Sequence, residues 1–181
     1  MKKLVIGAIV GGILVFLWQT LSWTVLQVHA KEYQKAPNEA AILQTLGENF
    51  AGDGQYRIPN LEPTASSADS EKFMADNAGK PWAVVSYHKS YDADMITNVL
   101  KAFAADLIAV LFVCYILVTN PNRSFWGIFI STVLIGIAGF LYIPYANHVW
   151  WEYPGTLTNL MDVLISWGLC GLWLGWWLRR K

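Results

Sequence analysis

Four long apolar stretches constrain this chain more than any other feature of its sequence. A bilayer core of about 30 Å is crossed by roughly 20 mostly apolar residues rising about 1.5 Å each in a helix. Residues 4–28, 96–118, 125–145 and 157–178 meet that requirement. No water is present in hydrocarbon to satisfy a backbone N–H or C=O, so each stretch has to coil into a helix that bonds to itself. The expected fold class is an all-α membrane protein, a four-transmembrane-helix bundle. Composition agrees, because 55% of the 181 residues are hydrophobic and only 14% are charged, unlike a soluble domain. The formal net charge of zero excludes nucleic acid as a partner, since phosphate binding demands a surplus of Lys and Arg.

The expected plan places transmembrane helix 1 over residues 1–28, an extracytoplasmic segment over 29–94 and helix 2 over 95–119. Helix 3 follows over 124–145, an outer loop over 146–156, helix 4 over 157–178 and a cytoplasmic tail over 179–181. Pro121 between Asn120 and Asn122 stops the second helix, and Ser124 can cap the third, which predicts an antiparallel hairpin. Lys2 and Lys3 ahead of an apolar run, with Val28-His29-Ala30 after it, also fit a cleavable signal. The run is about twice the length of a signal core, so a retained anchor is expected.

Orientation follows from the cations, because Lys and Arg beside short loops stay in the cytoplasm. Lys2, Lys3, Arg123, Arg179, Arg180 and Lys181 share one side, whereas residues 29–94 carry six basic against ten acidic side chains. Both termini are therefore expected in the cytoplasm, and residues 29–94 in the periplasm or its equivalent. Trp18, Trp23, Trp150 and Trp151 would then mark the outer interface, and Trp126, Trp173, Trp176 and Trp177 the inner one. Between spans, association depends on close approach at small residues. Gly7 with Gly11, and Gly171 with Gly175, form GxxxG pairs at similar depth, which predicts that the first and fourth helices cross there. The same pairs could instead serve a homodimer.

Residues 29–94 are patterned as a small α+β cap. Asn38 can cap a helix over 39–50, a strand covers 55–58, a second helix 68–77, and 82–88 alternates like a strand. Such a segment buries little apolar surface alone, so it should lean on the bundle or on a partner.

Ionisable groups inside a membrane suggest function by default. Asp106, beside Ala102, Ala105 and Ala109, and Asp162 fall in the second and fourth spans, and Gln19 and Lys101 reach comparable depth, with Ser22 and Asn159 nearer the surface. One cluster of Gln19, Lys101, Asp106 and Asp162 would suit a proton or cation path, or a quinone or lipid headgroup. The structural alternative has Lys101 snorkelling and the carboxylates hydrogen-bonded between helices. His29, His88 and His148 all lie near span ends and, with Glu32, Asp92, Asp94 and Glu152, could assemble a zinc, copper or haem site. None of the three is paired with another at short spacing, so solvated histidines are the simpler account and no cofactor is expected. Cys114 and Cys170 lie inside apolar runs and read as small buried hydrophobes. No nucleophile, zincin, P-loop or dinucleotide motif is present, and an enzyme is not expected.

Several short motifs, Gly54-x-Tyr56-x-x-Pro59, Lys80-Pro81 leading to Tyr87-His88, Pro144-Tyr145, Trp150-Trp151-x-Tyr153-Pro154 and Asp162 followed by Trp167-Gly168-x-x-Gly171, resemble a widespread family of small four-span bacterial inner-membrane proteins of uncharacterised function. The resemblance implies the topology already derived and no activity. The first functional expectation is a non-enzymatic accessory, assembly or stability subunit in the lipid bilayer, contacting other membrane proteins or a second copy. The alternative is a protein that handles an ion, a proton or a lipophilic ligand at Asp106 and Asp162.

Overall fold

The structure, a computed structural model, describes residues 2–92, 94–119 and 124–179. In chain order the elements are α1 (Lys2–Thr20), α2 (Glu39–Asn49), β1 (Gly54–Ile58), α3 (Ser67–Asn77), β2 (Ala83–Tyr87), α4 (Met95–Val118), α5 (Phe125–Phe140), α6 (Ala146–Trp151) and α7 (Thr156–Trp177). The widened π turn Leu21–Val25 extends α1, and a second, Leu141–Tyr145, joins α5 to α6. Four continuous helices result that are long and apolar enough to cross a membrane: Lys2–Val25, Met95–Val118, Phe125–Trp151 and Thr156–Trp177. The third runs past residue 145, where the sequence suggested it would end. Pro144 lies in its π turn, where the wider spacing accommodates a residue that cannot donate to the helical ladder. Asn120 to Arg123, the expected hairpin turn, and the cations Arg180 and Lys181 lie outside the described residues.

The chain divides into two compact units, Met1–Gln34 with Asp94–Lys181, and Lys35–Ala93. In the helical unit α1 packs on both α4 and α7, and α7 packs on α5. The core between them comprises Ala8, Val15, Val110, Cys114, Ile128, Cys170 and Leu174. Small residues set these approaches. A Cβ on Gly12 would come within 2.7 Å of the Leu107 side chain and 3.0 Å of its Cα, so α1 and α4 approach closely at a glycine outside the expected GxxxG pair.

Gly7 and Gly11 do face α7, near Leu174 and Cys170, but they also meet Cys114 and Val110 of α4. Gly171 and Gly175, expected against α1, instead admit Phe129, Thr132 and Phe125 of α5. The mirrored glycine pairs therefore serve two different seams, because α7 is flanked by α1 on one face and α5 on another. Trp173 and Trp177 are likewise not simple interface anchors. Their indole N–H groups donate to the carbonyls of Gly7 at 3.2 Å and Lys3 at 2.8 Å, with the two rings stacked at 5.4 Å. On α4 Asp106, Leu107, Ala109, Val110, Val113, Cys114 and Leu117 are buried or half-buried, while Ala102 and Ala105 are exposed.

The unit Lys35–Ala93 contains α2, α3 and a small two-stranded sheet. β1 and β2 pair antiparallel, with Gly54 opposite Tyr87 and Ile58 opposite Ala83. Phe50 stacks on Tyr56 at 3.7 Å and meets Tyr87 edge-on. Asn38 makes no side-chain cap on α2. The capped helix is α3, where Ser66 and Asp69 satisfy one another's backbone N–H groups, a reciprocal arrangement worth about 1 kcal/mol.

Candidate functional site

The polar residues expected in one cluster separate into two sites, because neighbouring residues on a helix point about 100° apart. Gln19 turns to α4, where its Nε2 donates to Oδ1 of Asp106 at 3.3 Å. Oδ2 of Asp106 is buried and unpartnered. Trp18 and Ser22, one turn apart, point to α7 and to Asp162. Lys101 is exposed and joins neither site.

The Asp162 site is the more completely built. Trp18 Nε1 donates to Oδ1 of Asp162 at 3.0 Å. The Ser22 hydroxyl, wholly buried, lies 2.7 Å from Oδ1 and 3.0 Å from Oδ2. Ser22 belongs to the π turn, whose extra residue re-aims side chains relative to an α-helix. The chain then reverses. Leu26 N–H bonds to Leu21 C=O, Val28 N–H bonds to Ser22 C=O, and Gln27 adopts a left-handed φ of 49°. This reversal returns His29 to the bundle.

His29 is 2% exposed, and both ring nitrogens meet carboxylates. Nε2 is 2.8 Å from Oδ2 of Asp162, and Nδ1 is 2.9 Å from Oε1 of Glu32, which the turn Ala30–Glu32 places three residues on. Trp23 stacks on the imidazole at 4.0 Å and 6°. The Glu32 carboxylate occupies the space a Cβ on Gly155 would need; glycine is required there also by its φ of +81°. Tyr33 hydrogen-bonds Tyr153 beside it. Segment 29–33 thus meets Tyr153 and Gly155 ahead of α7 and Asp162 within it.

The electrostatics follow from this geometry. Burial opposes a charged imidazole, but the hydrogen bonds to Asp162 and Glu32 and the charges of both carboxylates outweigh it and hold His29 above its ordinary pKa of 6.5. Tyr153 is also raised, first by its bond to Tyr33 and then by burial. An imidazolium can donate to both acids at once. A neutral ring donates to one and accepts from the other only if that carboxyl carries a proton. Glu32, His29 and Asp162 therefore form a line along which a proton can pass at hydrogen-bond distances.

The other histidines have separate surroundings. Nδ1 of His148 lies 2.9 Å from the carbonyl of Tyr153, and so donates to it. His88, in the other unit, is exposed with Asp53 at 4.0 Å. Asp94 caps α4 through Thr97 N–H. Among the described residues no group of three or more His, Cys, Asp or Glu could hold a metal ion. The sequence named both His29 and Asp162, but in different sets. Only Ser22 and Trp18, one turn apart and facing the same way as Asp162's helix, hinted at where Asp162 would find donors. No family model, curated protein or solved structure matches the chain.

Proposed function

We propose that this protein is a non-enzymatic, multi-pass protein of the bacterial inner membrane that takes up and passes a proton at its extracytoplasmic end. In this reading the termini are cytoplasmic, as the excess of cations there suggests, and residues 29–94 are extracytoplasmic. The observation that carries it is the buried imidazole of His29 held between Glu32 and Asp162. Paired ionisable groups at membrane depth are costly, and proton relays are a principal use of them. Asp106, with one oxygen unpartnered, sits at similar depth against Gln19 in its own separate site.

Histidine-selective 15N NMR in detergent micelles tests this, with His29 assigned by the His29→Gln variant. The His29 ring should titrate above its ordinary value, and Asp162→Asn should lower that midpoint. A ring that does not titrate between about pH 5 and about pH 9, or one indifferent to Asp162→Asn, overturns the proposal.

A second reading, an accessory subunit, is favoured by the unit Lys35–Ala93, which exposes Leu43 (60%), Met74 (64%) and Tyr91 (94%). Exposed apolar side chains of this kind suit a protein partner. The four GxxxG glycines are all engaged within the chain, so this partner contact would run through the outer unit. Co-purification of a second membrane protein in mild detergent supports it, and a homogeneous homo-oligomer or monomer removes it.

A further inference from the structure

The unit Lys35–Ala93 holds a sheet of two strands, β1 and β2. A lone two-stranded ribbon is marginal in water, and further strands or substantial apolar burial are needed to hold it. The unit supplies little burial, because none of its described residues is buried. Each strand also has an outer edge, where alternate residues present N–H and C=O groups away from the paired strand. No backbone hydrogen bond from another segment reaches residues 83–87 on that side.

The two edges differ. β1 carries Arg57 and runs into Pro59, and charge and proline are the devices that discourage edge pairing. β2, Ala-Val-Val-Ser-Tyr over Ala83–Tyr87, has no charge, glycine or proline. Its side chains already have neighbours on one face, where Val85 lies opposite Tyr56 and Tyr87 meets Phe50 edge-on. What β2 leaves unsatisfied is main chain, and the complement of such an edge is another extended strand. We propose that β2 pairs antiparallel with β2 of a second copy, joining two sheets into one of four strands. An antiparallel pair has two-fold symmetry, so β2 is its own complement. Centred on Val85, the pairing sets Val84 against Ser86 and Ala83 against Tyr87 of the second copy, with no like charges opposed. The inference does not depend on proton transfer, so self-pairing and His29 titration can fail independently. It competes with the accessory-subunit reading for the same unit, and a self-paired dimer would remove that reading.

The test uses the full chain in membranes, with single cysteines introduced and oxidised by copper phenanthroline. Cys114 and Cys170 are wholly buried and stay out of the reaction. Val85→Cys should give a disulfide-linked dimer in roughly fivefold or higher yield than Gln55→Cys, because the β1 strands of the two copies would lie three strand spacings, about 14 Å, apart. Ser86→Lys, which puts a charge on the paired edge, should raise the dimer dissociation constant, measured by sedimentation in dodecyl maltoside, by roughly fivefold or more. Equal yields at Val85→Cys and Gln55→Cys overturn the proposal, as does a wild-type chain that sediments as a monomer at every concentration. Dimerisation indifferent to Ser86→Lys overturns it too. Should Ser86→Lys not fold, the two cysteine yields and the wild-type mass decide the matter.

Discussion

Nε2 of His29 lies 2.8 Å from Oδ2 of Asp162, with 133 residues of chain between them. Asp162 also accepts from Trp18 and Ser22, so this carboxylate ties three donors to α7. Asp162→Ala should leave Trp18, Ser22 and the Nε2 side of His29 without an acceptor, Glu32 still holding Nδ1, and cost about 3–5 kcal/mol, the usual penalty for breaking a buried pair. Asp162→Asn keeps an acceptor oxygen and should cost about half as much. Thermal unfolding in micelles measures both. An alanine variant as stable as wild type would mean that the clasp does not hold the bundle closed.

The pH dependence has a definite sign. The folded pKa of His29 is raised above 6.5, so the fold favours the imidazolium. Its stabilisation is full below that ordinary value and is lost as pH rises through the folded value. Wild-type melting temperature should therefore fall on going from mildly acidic to alkaline buffer. His29→Gln should remove that component of the slope. A wild-type melting temperature that rose over the same interval would contradict the ion-paired state.

Glycine substitutions separate close approach from mere composition. Gly12→Ala pushes a methyl into Leu107 and its backbone, and should cost about 1–3 kcal/mol by overpacking. Gly136→Ala meets the Trp167 ring and should behave alike. At Gly139 and Gly168 an added Cβ finds open space, so alanine there should be neutral or stabilise by up to ~1 kcal/mol through helix propensity. Melting temperatures of the four variants should fall into those two groups.

This division also marks what the sequence could show. The four long apolar helices were legible because a run such as 96–118 is long and apolar enough to cross a membrane, and such a run is expected to coil into a helix that bonds to itself. Gly7 and Gly11 were legible as packing residues, but Gly12 was not, since spacing alone does not reveal which of two adjacent glycines faces a neighbour. Asp162 and His29 each stood out for burial or position. Their union was hidden because it depends on Gln27 taking a left-handed conformation that usually signals Gly or Asn. The split of Gln19 and Trp18 onto different neighbours required knowing that α4 and α7 flank α1 on separate faces. The Ser66 cap was readable from Ser-x-x-Asp at the start of α3.

Trp177 and Gly7 offer the sharpest test of how the opposite end of α1 is held. The Trp177 indole donates to Lys3 C=O at 2.8 Å, and its Cδ1 would sit 3.2 Å from a Cβ on Gly7. The Lys3 carbonyl has a second lone pair for its own helix, so Trp177→Phe removes one supplementary bond and should cost about 0.5–1.5 kcal/mol. Gly7→Ala alone should lift the ring away and cost a similar amount, about 1 kcal/mol. If both act on one contact, the double variant should be less destabilised than the sum by ~0.5 kcal/mol or more. Additive melting data would mean instead that the indole and the glycine stabilise α1 independently, with Trp173 and its bond to Gly7 C=O holding the seam.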